Sequence, residues 1–149
     1  MNRRVDPRTL GWLNRALSHE MCAVQQYLAQ SVLARLWGDE ALSRELHQEC
    51  VEELSHAARL MERLILEGVA PGAGTLPPAR LGREVPALLE ADRALEINAV
   101  RLYEAALAHA RKVGDTAAER LFAQLLEEEA EHVRELDRIG SPGTEDGHG

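Results

Sequence analysis

The stretch Val69-Ala70-Pro71-Gly72-Ala73-Gly74-Thr75-Leu76-Pro77-Pro78-Ala79-Arg80-Leu81-Gly82 lies mid-chain and decides how the rest is read. Its three prolines and three glycines cannot continue a helix, so it is a long connection between two halves. Before it, a helical pattern covers about Glu40 to Glu67 and ends at Gly68, which reads as a C′ glycine. Earlier still, Asp6-Pro7 supplies an N-cap and a first-position proline for a helix that runs to Trp37 and stops at Gly38-Asp39. After the connection, a third helix runs from about Glu84, with Pro86 in its first turn, to Val113, and Gly114 stops it. Thr116-Ala117-Ala118-Glu119 reads as a capping box that opens a fourth helix, ending near Ile139-Gly140. Tight turns join first to second and third to fourth. The expected fold is all-α: a four-helix bundle over residues 1–140, two antiparallel hairpins joined by a long crossover, with 141–149 as a flexible tail.

Composition agrees and excludes whole classes. The chain has 149 residues, 45% hydrophobic and 28% charged, which suits one globular domain rather than a disordered chain. With 17 basic against 25 acidic side chains, the formal charge of −8 repels phosphate and argues against nucleic-acid binding. No apolar run approaches the roughly 18 residues that cross a bilayer, and the basic residues near Met1 have no apolar segment behind them. The cytoplasm is the expected compartment. Cys22 and Cys50 form no CxxC motif and read as small buried hydrophobes.

Each helix breaks its own apolar stripe with a glutamate. In the second, Leu42, Leu46, Ala57, Leu60 and Leu64 are interrupted by Glu53 and His56. In the fourth, Leu121, Phe122, Leu125, Val133, Leu136 and Ile139 are interrupted by Glu129 and His132. Leu13, Leu17, Val24 and Tyr27 bracket Glu20 in the first; Leu88, Leu89, Val100, Tyr103 and Leu107 bracket Glu96 in the third. Residues three apart share a helix face, so each Glu-x-x-His aims two groups at one point. The halves repeat: Glu20 to Glu53 and Glu96 to Glu129 are both 33 residues, and an offset of 76 maps Glu20, Tyr27, Glu53 and His56 onto Glu96, Tyr103, Glu129 and His132.

Four ionised carboxylates cannot share a dry core, because each unpaired buried charge costs several kcal/mol. Either their pKa values rise or cations sit among them. Two divalent ions would neutralise the four glutamates, and two imidazoles would complete the site. Carboxylate mixed with imidazole suits iron, manganese or zinc better than magnesium or calcium. His19 and His47 fall off the inward stripe and read as surface groups, while Glu49 and Glu128 are placed to accept a hydrogen bond from a site imidazole.

At these residues the sequence resembles the bacterioferritins, a ferritin-like di-iron family. The matching segments are Leu13-Asn14-Arg15, Glu20, Gln26-Tyr27, Trp37-Gly38, Glu53, Ser55-His56-Ala57, Glu62-Arg63, Ala94-Leu95-Glu96 and Glu129-x-x-His132. The resemblance implies a ferritin-like fold and two iron ions held by Glu20, Glu53, His56, Glu96, Glu129 and His132, with Glu53 and Glu129 bridging. It implies oxidation of Fe(II) by O2 or peroxide, iron storage or detoxification, and Tyr27 as an electron donor beside the centre. It implies a homo-oligomer, a dimer or larger.

Three positions depart from that pattern. The methionine that binds haem in the family is Leu54 here, so haem is not expected, and Met61 is a weak substitute. The family's short fifth helix is replaced by the Gly- and Pro-containing tail, which bears on cage closure. A His and an Asp of the family's inner-surface iron site are Gln48 and Glu52. Two other readings stay open: a small non-cage di-iron or di-manganese oxidase or peroxide scavenger, and a metal-free helical interaction module. Native mass separates storage from the first; stoichiometric metal excludes the second.

Overall fold

The computed structural model describes residues 5–140. It holds four helices: α1 (Pro7–Leu36), α2 (Glu40–Leu66), α3 (Val85–Val113) and α4 (Thr116–Gly140). Among the described residues there is no strand. The tail expected at 141–149 lies outside the described residues.

Local chemistry explains the ends. Asp6 accepts from the Arg8 N–H and Pro7 takes the first turn of α1. Asp39 caps α2 by accepting from Leu42 N–H at 3.0 Å. The capping box expected at Thr116 sits one residue earlier: Asp115 accepts from Ala118 N–H at 3.0 Å, and Thr116 is already helical. An ionised carboxylate accepts that bond more strongly than a hydroxyl and complements the positive end of the helix, so Asp115 takes the cap. Gly114, at φ 73°, closes α3 in the left-handed region that side chains avoid. Gly82 is required for a second reason besides its φ of +81°: a Cβ there would lie 2.7 Å from the backbone nitrogen of Leu88.

The crossover is strapped along α1. Ser18 donates to the Ala73 carbonyl at 2.5 Å, Gln25 to Pro77 at 2.7 Å and Gln30 to Arg80 at 2.8 Å. These contacts advance together along both segments, which carries the chain back to the far end and sets α3 antiparallel to α1. The core falls into two clusters. One holds Leu13, Leu17, Leu60, Leu64, Tyr103, Phe122 and Leu125; the other holds Ala23, Tyr27, Ala34, Leu46, Cys50 and Leu88. The inward stripes hold with exceptions: Ile139, in the last turn of α4, is 58% exposed, and Cys22 is only half-buried. No helix among the described residues is long and apolar enough to cross a membrane.

Candidate metal centre

The structure brings all six sequence-derived residues to one place between the two core clusters. Glu20 and Glu129 are fully buried, Glu53, His56 and Glu96 are 1% exposed, and His132 is 6% exposed. Their ligand atoms form two groups of four, each within 4.8 Å: Glu20, Glu53, His56 and Glu129, then Glu53, Glu96, Glu129 and His132. Glu53 and Glu129 belong to both groups, the placement that bridging carboxylates need.

The imidazoles look inward through Nδ1. His56 Nδ1 lies 2.6 Å from Glu129, 3.4 Å from Glu20 and 3.5 Å from Glu53. His132 Nδ1 lies 3.1 Å from Glu53, 3.4 Å from Glu96 and 3.5 Å from Glu129. The rings stack, 6.0 Å between centroids and 12° between planes. Each Nε2 faces away and donates to a glutamate of the opposite hairpin, His56 to Glu128 at 3.1 Å and His132 to Glu52 at 2.7 Å. An imidazole whose Nε2–H is committed in this way presents the Nδ1 lone pair to the centre.

Among the described residues, eleven buried side-chain polar atoms have no hydrogen-bond partner, and seven of them belong to these six side chains. Such atoms are costly to leave bare, and their concentration at one point is what a cation site shows without its cation. The electrostatics agree. Burial pushes the Glu53 and Glu96 carboxyls well above the usual range, with Glu20 adding for Glu53 and Glu129 for Glu96. Burial would lower His56 and His132, but the surrounding carboxylates outweigh it and raise both. Burial would raise Glu129, yet Glu96, His132 and His56 close around it hold it below its usual value. Protons thus do in the metal-free centre what divalent cations would do in the loaded one.

Tyr27 donates to Glu96 Oε1 at 2.6 Å, and Tyr103 donates to Glu20 Oε1 at 2.8 Å. Of the two flanking glutamates, Glu128 meets His56 directly, whereas Glu49 stands 3.4 Å from His132 behind Glu52. His47 is exposed and His19 half-buried, and neither belongs to a ligand group of the centre. Sequence reasoning passed over Asp92, which is fully buried and accepts from the Gln26 amide at 2.9 Å. Its signal was present: Leu88, Asp92 and Glu96 follow one another at four-residue steps on the inward face of α3.

Fold and site together define a ferritin-like bundle, whose buried carboxylates and imidazoles converge in two groups that could hold metal. The ferritin-like domain family matches residues 11–140. A bacterioferritin of Rhodobacter capsulatus is 31% identical over 145 residues, covering 93% of this chain and 90% of that one. One from Brucella melitensis is 33% identical over 144 residues, covering 94% and 89%. A solved structure of Rhodobacter capsulatus bacterioferritin, described as having a metal-free dinuclear site and haem iron in a crystallographic special position, aligns with a TM-score of 0.90 at 30% identity, covering 93% of this chain and 87% of that one. The chain belongs to the bacterioferritin family.

Proposed function

We propose that this protein binds two Fe(II) ions at Glu20, Glu53, His56, Glu96, Glu129 and His132 and oxidises them with O2 or peroxide, for iron storage or detoxification. The observation that carries this reading is the sharing of Glu53 and Glu129 by two four-atom ligand groups. Iron supplies the redox chemistry when bound. The chain supplies the rest: Glu20–His56 and Glu96–His132 as terminal pairs, two bridging carboxylates, and a buried setting that strengthens every charge interaction. Tyr27 and Tyr103 orient the terminal carboxylates by donating to one oxygen and leaving the other, unpartnered, facing the centre. Tyr27 is the electron donor in this reading. Manganese or zinc fits the same donors, so metal identity is part of the test.

Haem does not fit the place the family uses. Leu54 offers no thioether there and is 46% exposed, while Met21 and Met61 are partly buried against the core. We place the protein in the cytoplasm as a homo-oligomer.

Anaerobic Fe(II) titration followed by O2 admission tests the reading. Two Fe(II) bound per chain, followed by ferric absorbance and O2 consumption, is the expected result; no stoichiometric iron overturns it. Native mass of the same sample then separates a storage shell from a dimeric oxidase.

A further inference from the structure

Reducing one peroxide to two waters breaks the O–O bond and takes two electrons, one from each iron, and two protons. The six ligands are a poor source of those protons. Cations and protons compete for the same carboxylate and imidazole atoms, and metal binding drives the protons off. The oxidant therefore needs a proton from a group outside the ligand set, one that stays protonated when the centre is loaded.

Asp92 meets that description. It is fully buried on the inward face of α3, one turn before Glu96. One oxygen accepts from the Gln26 amide of α1 at 2.9 Å, and Oδ2 has no hydrogen-bond partner. A bare buried oxygen costs far more on an anion than on a neutral carboxylic acid. Asp92 borders a cavity of about 260 Å³, across which α2 brings Glu45, Glu49 and Glu52 and α4 brings His132 and Glu135. Among the described residues, no arginine or lysine lines this cavity, and Arg93, next to Asp92 in sequence, turns outward to Asp137 at 2.6 Å. No side-chain cation is thus at hand to hold Asp92 ionised. The amides of Gln26 and Gln30 favour its anion, but burial outweighs them and pushes the carboxyl up to about 7. Two divalent cations among four carboxylates leave the loaded centre neutral, so loading does not draw the proton off Asp92.

The cavity also joins Asp92 to the edge of the centre, at Tyr27 and His132, and has room for a short chain of waters. His132 commits both ring nitrogens, Nε2 to Glu52 and Nδ1 to the centre. Tyr27 donates to Glu96 Oε1 at 2.6 Å, and its hydroxyl oxygen can still accept. Tyr27 can therefore take a proton from the cavity side while giving its own to the centre side.

We propose that Asp92 is the proton donor for oxidant reduction: its Oδ2 proton passes through cavity water to the Tyr27 oxygen, as the Tyr27 proton moves along the hydrogen bond to Glu96 and on to the oxygen being reduced. Cavity water then reprotonates Asp92, and a second pass supplies the second proton. The inference rests on the di-iron reading and adds the source of its protons.

Infrared spectra of the Zn(II)-loaded protein test the proton's place without redox chemistry. Metal ionises the ligand carboxyls, so a protonated-carboxyl band should remain that fades as pH rises through about 7 and is absent from Asp92→Asn. Isotopic labelling of the aspartate side-chain carboxyls should shift this band, which separates it from Glu49, a carboxyl that burial also raises to about 7. Stopped-flow mixing of anaerobic Fe(II)-loaded protein with peroxide tests delivery. Wild-type oxidation should slow over the pH range in which the band fades. Asp92→Asn should bind two Zn(II) per chain, oxidise iron about tenfold or more slowly, and lose that pH dependence. No aspartate band in wild type, or an unchanged rate or pH profile in Asp92→Asn, overturns the proposal. A mismatch in wild type between the pH at which the band fades and that at which the rate falls overturns it whether or not the variant folds. Loss of Zn(II) from folded Asp92→Asn overturns it too, by making Asp92 a support for the ligands. Fewer than two Zn(II) per chain in wild type overturns the dimetal reading itself, and the proton donor with it.

Discussion

The phenol of Tyr103 donates a 2.8 Å hydrogen bond to Glu20, a glutamate of the opposite hairpin, and Tyr27 repeats the contact with Glu96 at 2.6 Å. The two bonds cross-link the halves around the centre, but their settings differ. Tyr103 packs against Phe122, ring centroids 6.2 Å apart, while Tyr27 lines a cavity of about 260 Å³ that also reaches Asp92 and His132. Replacing either by Phe leaves a buried carboxylate oxygen without its donor, at a cost of about 1–3 kcal/mol to the metal-free fold. Chemical denaturation of Tyr27→Phe and Tyr103→Phe should show losses of that size in both. Repeated Fe(II) oxidation should slow in Tyr27→Phe and change little in Tyr103→Phe; equal slowing would remove the special role of Tyr27.

Glu129 touches both imidazoles and both ligand groups, whereas Glu20 and Glu96 each serve one. Glu129→Ala should therefore lose two-metal binding while the helices persist, because the two apolar core clusters stay intact. Glu20→Ala should keep one metal. Elemental analysis after Fe(II) or Co(II) loading, with circular dichroism as the folding control, checks both. Unchanged stoichiometry in Glu129→Ala would remove it from the ligand set.

Much of this arrangement was legible in the chain. Helix type and order followed from caps, glycines and the Pro-rich connection, and the inward glutamates betrayed themselves by interrupting apolar stripes at helical spacing. What local spacing does not carry is contact across the bundle. Glu52 lies on an exposed face of α2 and gives no sign by itself that it will meet His132, because that meeting depends on how far α2 stands from α4. The same holds for Arg59 with Glu128. Asp92 was a different kind of miss: its four-residue step from Glu96 was visible, but it has no counterpart at the matching offset, where Ala16 stands, so the repeat did not point to it. The capping box at Thr116 erred because two adjacent residues can both cap, and Asp115 does so with a charge.

The metal-free protein should lose stability as pH rises above about 4.5. His56 and His132 are raised above their ordinary 6.5, and Glu53 and Glu96 above 4.5, so the folded centre holds protons that the unfolded chain has released. For raised groups the stabilisation is full below the unfolded value and is lost as pH climbs through the folded one. Melting temperature with chelator present should fall from about pH 4.5 upward, where the unfolded glutamates release their protons, and further from about pH 6.5, where the unfolded imidazoles release theirs. Bound metal replaces those protons and adds a linkage term, so the loaded protein should melt higher and with less dependence on pH. A chelator-independent melting curve would show that no cation is held.

Asp92 gives a second pH signature, separable because it is not a ligand. Burial pushes its carboxyl from an ordinary 3.8 up to about 7. Being raised, it favours the fold below about pH 4 and loses that advantage progressively up to about pH 7, a total on the order of a few kcal/mol. In Asp92→Asn the side-chain amide oxygen can still accept from Gln26, but the group does not titrate. The stability difference between wild type and Asp92→Asn should therefore shift in favour of the variant from about pH 4 to 7 and then level off, as read by urea unfolding at each pH. A difference flat across that range would place the Asp92 carboxyl at its ordinary value.

The acceptors behind the imidazoles should not be equivalent on removal. His132 Nε2 has Glu52 at 2.7 Å and a reserve in Glu49 at 3.4 Å, whereas His56 Nε2 has, among the described residues, Glu128 as its one carboxylate, at 3.1 Å. Groups of this kind fix ring orientation and raise ligand basicity, and losing one costs about 10–100-fold in metal affinity. In Glu52→Gln, Glu49 can take over the Nε2–H, and a second carboxylate keeps the ring basic. In Glu128→Gln the amide oxygen can still accept the Nε2–H, but no carboxylate stands behind the ring, and Arg59 loses its counter-charge beside it. Competition against a chromophoric chelator should thus show about tenfold or more lost for one of the two metals in Glu128→Gln and distinctly less in Glu52→Gln. The reverse order would mean that Glu49 does not stand in for Glu52, and that the Arg59 pair holds its helix rather than the imidazole.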